Sequence, residues 1–271
     1  LELIGQNFTR VYRGKGRLKQ SLADSSFDAW TKFYRQDESA PNSIVSYYKK
    51  GALVALALDL EIRRATQGER SLDDVMQRLW IEHGEPGVGV PEDGVERIAS
   101  EVAGTDLSPF FDRAIRGTED PEIVELLAHF GDRLHFRRAD SHNDSGGKRG
   151  KLDDIQLQAR GALGARLKAV SGGVRLTHVL DDGSAQDAGL SAGDVVVAMN
   201  GLKVSIANIN RRLKIWPIGT HVTVHFFRRD ELMERTMVLR QPPLDTAWLE
   251  LETDTDEATS ARRVAWIGAS E

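Results

Sequence analysis

The stretch GSAQDAGLSAGDVVVAMNG, Gly183 to Gly201, decides how the second half of this chain folds. Ser184-Ala185 start a short helix that has to stop tightly at Gly189. Leu190 then plugs a core, and Gly193-Asp194 turn the chain into the apolar strand VVVAM. A positive φ is expected at these glycines, because a residue without Cβ takes it at the least cost. Asn200-Gly201 reads as a further tight turn.

Outward from that stretch, alternation predicts strands in VRLTHVL, DVVVAMNG, THVTVHFFRR and ERTMVLRQ, with RDEL as a hairpin turn. One helix, SIANINRRLKIW, interrupts them. Upstream, ADSHNDSGGKRGK over residues 139–151 is polar and glycine-rich, and reads as a linker that lets the next module swing. From Leu1 to about Phe136 the period is helical instead. In IVSYYKKGALVALALDLEIRRAT, Ile44, Tyr48, Leu53, Leu56 and Leu60 recur near a 3.6-residue period. Residues 52–58 are apolar on nearly every face, which predicts a helix buried in a bundle. Its expected N-cap is Asn42-Ser43, and Gly68 lies just past its end. Ser71 caps the next helix, SLDDVMQRLWIEHG, with Asp73 and Asp74 in its first turn. EPGVGVPEDG is a loop, and its Glu92 and Asp93 read as solvated acids near the start of the following helix. VERIASEVAG, DLSPFFDRAIRG and EIVELLAHFG are further helices. After Pro243, Asp245, Glu250, Glu252, Asp254, Asp256 and Glu257 predict a solvated acidic tail, in which RRVAWIG can dock as a last strand. The expected division is a helical region over residues 1–138, a linker 139–154, a β-rich module 155–243 and a tail 244–271.

Of the 271 residues, 40% are apolar and 28% charged, which fits a globular protein. A net charge of −5 speaks against a nucleic-acid partner. There is no cysteine, which excludes disulfides and leaves the compartment, cytoplasmic or periplasmic, open. The longest apolar run, Gly51 to Leu58, ends at Asp59, far short of the roughly 20 residues of a membrane-spanning helix. The opening LELIGQNFTRVYRGKGR has no signal-peptide core and does not start with Met, so the chain reads as a piece of a longer protein.

Taken in order, GALGARL, GGVRLTHVL, the Gly183–Gly201 stretch, the helix and two strands resemble bacterial PDZ domains over about 80 residues. The resemblance implies that an extended peptide adds beside a sheet edge, with its terminal carboxylate held by backbone N–H groups. It makes Ala162-Leu163-Gly164-Ala165 the carboxylate loop, where Gly164 lets the backbone approach and form an anion nest. Ala165 is a small version of the apolar residue usual after that glycine. Leu167, Ile209 and Leu213 either line the side-chain pocket or belong to the core.

In the first half, SLADSSFDAWTKFYRQDESAPNS, SYYKKGALVALALDLEIR, SLDDVMQRLWIEHG, GVPEDGVE and DLSPFFDRAIRGTED resemble the glycyl aminopeptidase family of thermolysin-like zinc peptidases. The resemblance spans most of residues 20–131, and that family often carries a PDZ domain. It implies an α+β multidomain protein: an all-α bundle, the C-terminal portion of a thermolysin-like catalytic domain, followed by a PDZ-like β-sandwich or barrel. Implied partners are peptide N-termini at the active site and extended peptides or C-termini at the PDZ module. Tyr48, in Tyr48-Lys49-Lys50-Gly51, matches a tyrosine that donates to the oxyanion in related aminopeptidases. A phenol suits this as a neutral donor at working pH. The alternatives are a buried tyrosine at a helix start, or Tyr47 in that role.

The implied cofactor of the intact parent is zinc, which needs an HExxH pair and a further ligand. The seven histidines, His83, His129, His135, His142, His178, His221 and His225, include no such pair. His221 and His225 are four apart, but they sit in a strand-like run. This chain alone is therefore expected to bind no catalytic zinc and to hydrolyse nothing. A non-catalytic PDZ scaffold is the other reading. Helices 44–63 and 107–116 would pack on the missing half, so Phe27, Trp30 and Phe33 are expected to be exposed and to drive self-association.

Overall fold

The structure, a computed structural model, describes residues 1–151 and 161–268. The helical unit runs through α1 (Glu2–Tyr12), α2 (Leu22–Phe27), α3 (Ala40–Ser43), α4 (Tyr47–Ala65), α5 (Leu72–Leu79), α6 (Gly94–Ala103), α7 (Ser108–Phe111) and α8 (Ile123–His129). Helix α4 is central because both of its faces are apolar. Leu53, Ala57 and Leu60 pack with Phe8 and Val11 of α1 and with Ile123, Leu126 and Leu127 of α8. Leu58 and Ile62 pack on the other side with Val75, Ile98, Ala99 and Phe111. A helix buried on both faces needs apolar residues nearly all round, which is what residues 52–58 supply. Its N-cap is Ser46, whose hydroxyl accepts the Lys49 N–H at 3.2 Å, and not the expected Asn42-Ser43. Pro41, pre-set for a first helical turn, opens the separate short helix α3 and takes Asn42 and Ser43 into it. Ser71 and Asp74 form a full capping box at α5.

The expected linker and tail are corrected by one sheet. Strand β1 (Asp132–Arg138) pairs antiparallel with a strand from the far end of the chain, Leu244–Leu251, with Leu134 opposite Leu249 and Phe136 opposite Ala247. Asp245, Ala247 and Leu249, spaced two apart, are buried while Glu250 is exposed, and strand period rather than net charge decides the outcome. Residues 139–151 are held too. Arg137 donates to Asp144 at 2.6 Å, and the Gly147 N–H donates to the Ala247 carbonyl at 2.7 Å. RRVAWIG is not a strand but the end of a helix, Glu257–Ile267, capped by Asp256, which accepts the Thr259 N–H at 2.6 Å. Its Arg263 is buried and donates to the Gly131 and Glu252 carbonyls.

Between these paired strands lies the β-rich module: β2 (Ala165–Val170), β3 (Gly173–Val179), α9 (Ser184–Asp187), β4 (Val195–Met199), β5 (Leu202–Lys203), α10 (Ile209–Leu213), β6 (His221–Arg228) and β7 (Glu231–Val238). The strand from 244 to 251 is then β8, and the last helix α11. The main sheet has the order β2-β3-β4-β6-β7, which leaves β2 at an edge. Leu176, Leu190, Val196, Met199, Val222, Val224 and Phe226 fill its core. Gly164, Gly189, Gly193 and Gly201 all have positive φ. The expected helix over SIANINRRLKIW shortens to five residues. The expected module start at residue 155 lies outside the described residues. The module does not follow the helical unit as a separate body. It is inserted between β1 and β8, and helix α1 lies across β8. A Cβ at Gly5 would meet Gly147 Cα at 2.9 Å, so α1 sits as close as glycine allows. Thr9 ties the contact, accepting the Ala247 N–H at 2.8 Å.

Asp132 opens β1 fully buried, and neither carboxylate oxygen has a hydrogen-bond partner among the described residues. Burial raises its pKa from 3.8 to about 6, partly offset by the positive charge of Arg263. The folded state therefore holds a proton that the unfolded state has lost between these values, and stability falls as pH rises through that window. Asp132→Asn should raise the melting temperature at pH 8, by stabilisation on the order of 1–3 kcal/mol. At pH 4 the gain should vanish. An equal gain at both pH values in thermal unfolding would contradict this assignment.

Candidate functional sites

The start of α4 is anchored from below. Lys50 is buried, and its ammonium donates to the Arg17 carbonyl at 3.2 Å and the Thr118 carbonyl at 3.4 Å. Burial pushes its pKa down, while Asp120 opposes the shift. The anchor fixes the two tyrosines just before it. The Tyr34 hydroxyl lies 2.9 Å from that of Tyr48 and 3.0 Å from that of Tyr47, with Phe33 edge-on to both rings. The two phenols are not equivalent. Hydrogen bonding with Tyr34 raises the pKa of Tyr47 and lowers that of Tyr48. Tyr48 is also 56% exposed, so it is well presented to solvent. The surface around it is aromatic and open: Phe27 is 91% and Trp30 79% exposed.

A second site lies where the β-rich module meets α1. A cleft of about 610 Å³ is lined by the loop 162–165, by Arg166 and Leu167 of β2, by Leu213 and Asn210 of α10, by Thr9, Arg10 and Tyr12 of α1, and by Arg13 just after it. Of the residues expected to bind peptide, Leu163, Gly164, Ala165, Leu167 and Leu213 reach this cleft. Ile209 does not; it is buried in the module core. Leu163 and Leu213 are core residues that also border the cleft. A Cβ at Gly164 would lie 2.6 Å from Gly183 Cα, so only glycine permits this loop. The Leu163 and Gly164 N–H groups donate to no described residue, whereas the Leu163 and Gly164 carbonyls are taken by Ala185 and Leu180. A loop with two free N–H groups beside an edge strand can take an anion and an added strand.

Sequence reasoning missed the groups that hold the two units together. Asn42 donates to the Val179 carbonyl at 2.7 Å and accepts from the Asp181 N–H at 3.0 Å. Lys19 pairs with Asp181 at 2.6 Å. Asn210 donates to His142 Nδ1 at 2.9 Å, which ties α10 to the segment after β1. Isolated polar residues in turns carry no pattern that marks such bridges. The other histidines are surface residues of strands or packing residues: His225 meets Glu234 across β6 and β7, and His135 stacks on Trp248. Among the described residues no three His, Asp or Glu side chains converge as metal ligands. Asp93 stands at the N-cap position of α6 without a side-chain cap bond.

The model of the M61 glycyl aminopeptidase family matches residues 1–54, and the PDZ domain model matches residues 154–215. A crystal structure of an aminopeptidase N family protein from Idiomarina loihiensis matches with a TM-score of 0.89 at 38% identity, over 98% of this chain and 43% of that one. The first 54 residues thus resemble the M61 glycyl aminopeptidase family, and the Idiomarina likeness extends over nearly the whole chain. This chain spans less than half the length of the Idiomarina protein. The chain also matches the serine endoprotease from Yersinia pestis at 21% identity, over 32% of this chain and 30% of that one, with a TM-score of 0.29. The HtrA-type protease AlgW with a decapeptide matches at 22% identity, over 31% and 30%, with a TM-score of 0.28. No curated protein matches in sequence. The inserted β-rich module is a PDZ domain, carried within an α+β multidomain fold.

Proposed function

We propose that this chain is the tyrosine-bearing and peptide-binding portion of a zinc-dependent aminopeptidase. The observation that carries the reading is the Tyr48 hydroxyl, solvent-facing, lowered in pKa by Tyr34, and seated on the Lys50-anchored start of α4 in a chain whose first 54 residues resemble the M61 family. In such a peptidase Tyr48 donates to the oxygen of the tetrahedral intermediate, where negative charge develops. The described residues do not fit a catalytic zinc, so its ligands belong to a region of a longer protein outside this chain. The PDZ groove accepts extended peptides or peptide C-termini as an added strand. The exposed aromatic surface of Phe27 and Trp30 is the face that such a region would cover, and in its absence the chain self-associates through it.

A second reading, a non-catalytic peptide-binding scaffold, is favoured by one observation: the groove is complete within the chain while a metal site is not. The two readings separate in the longer zinc-bearing protein. There Tyr48→Phe should lower kcat on glycyl and alanyl substrates by about 10²-fold with KM little changed. A kcat within twofold of the parent would remove Tyr48 from the mechanism. The purified chain itself should carry no stoichiometric zinc by metal analysis and show no turnover of those substrates; zinc with turnover would overturn the division proposed. In light scattering the same preparation should be a dimer or larger, and a monodisperse monomer at high concentration would contradict the role given to the aromatic face.

A further inference from the structure

The lining of the peptide groove is not contributed by the PDZ domain alone. Besides Leu213 and Asn210 of α10, it includes residues of α1 in the helical unit, and the charges across the cleft are unevenly matched. Its carboxylates are all occupied: Asp144 by Arg137 at 2.6 Å, Asp181 by Lys19 at 2.6 Å, Asp182 by Lys15 at 2.9 Å and Asp245 by Arg13 at 3.5 Å. Arg240 is paired with Asp187. Two guanidinium groups lining the cleft remain without an acid partner among the described residues, Arg10 on α1 and Arg166 on β2. Arg13 adds to the positive field at Arg166 and so does not neutralise it. Arg10 and Arg166 also wall a second hollow of about 270 Å³, shared with Lys49 and Phe33, so they form a cationic ridge between the groove and the tyrosine cluster.

The position of the ridge follows the path of a bound peptide. A strand added antiparallel to β2, with its terminal carboxylate at the Leu163 and Gly164 N–H groups, runs first past Arg166, the second residue of β2. Arg10, on α1, lines the same cleft. We propose that Arg10 and Arg166 make this a composite groove selective for peptides that carry Asp or Glu just upstream of a free C-terminal carboxylate, with α1 of the helical unit reading the ligand together with the PDZ domain. The inference rests on the peptide-binding reading of the groove. A guanidinium is suited to the task because its planar fork meets a carboxylate with two parallel N–H donors.

The test uses the whole chain and fluorescent hexapeptides that end in the same apolar residue and carry either three Glu or three Lys at the preceding positions. The Glu peptide should bind about tenfold or more tightly than the Lys peptide at low salt, and the gap should narrow as salt is added. Arg10→Glu should abolish or reverse the preference, and so should Arg166→Glu. Both residues are exposed, so circular dichroism and melting temperature should stay at parent values. If both peptides bind with equal affinity, or Arg10→Glu leaves the preference intact, α1 does not read the ligand, although the groove still binds peptide. If neither peptide binds, or amidation of the C-terminus leaves binding unchanged, the peptide-groove reading itself fails.

Discussion

The antiparallel pairing of Asp132–Arg138 with Leu244–Leu251 is the constraint on which the rest of the structure depends. It joins residues more than a hundred positions apart, so the whole PDZ domain is enclosed in the loop that it closes. A domain joined by one linker swings; a domain joined at both ends to adjacent strands has far fewer orientations open to it. Burial supports the pairing. Leu134, Ala247 and Leu249 enter the same core as Phe8, Leu60 and Phe130, so strand formation and helix packing stabilise one another. Gly5 and Thr9 then seat α1 directly on β8.

That seating places α1 against the PDZ groove. Arg13 shows the coupling most plainly, since one guanidinium bonds the Asp144 carbonyl, the Thr246 hydroxyl and Asp245. Asn42, Lys19 and His142 secure the same arrangement from other sides. The tyrosine cluster and the peptide groove are therefore positioned by a shared helix, with Arg10 between them. The groove and the tyrosine cluster are features of one packed unit.

The sequence made the PDZ core legible because its signals are local. A short helix, a stop at Gly189, a plug at Leu190 and a turn at Gly193 are each fixed by a backbone need that few residues meet. The central helix was legible for a similar reason: nearly continuous apolar residues over 52–58 have one stable use in a bundle. The tail was misread because charge dominates its composition while strand period decides its fate. Asp245, Glu250 and Glu252 flank Ala247 and Leu249, and their burial depends on β1, a partner distant in sequence. Whether Ile209 lines the pocket or the core stayed open in the sequence, because tertiary packing sets the helix phase that buries it in the core. The free arginines were invisible because it is the pairing of every nearby acid that marks them out, and pairing is a property of the folded cleft. Tyr48 was singled out by its motif, and the structure adds the Tyr34 hydroxyl that bridges it and Tyr47.

Native-state hydrogen exchange of the amides across residues 244–251 tests the central claim most directly. If β8 is paired with β1 and covered by α1, its hydrogen-bonded amides should exchange as slowly as those of α4, through the same global opening. Exchange at the rate of an unstructured peptide, with α4 still protected, would contradict the account: the segment would be a solvated tail and the PDZ domain would hang on a single linker.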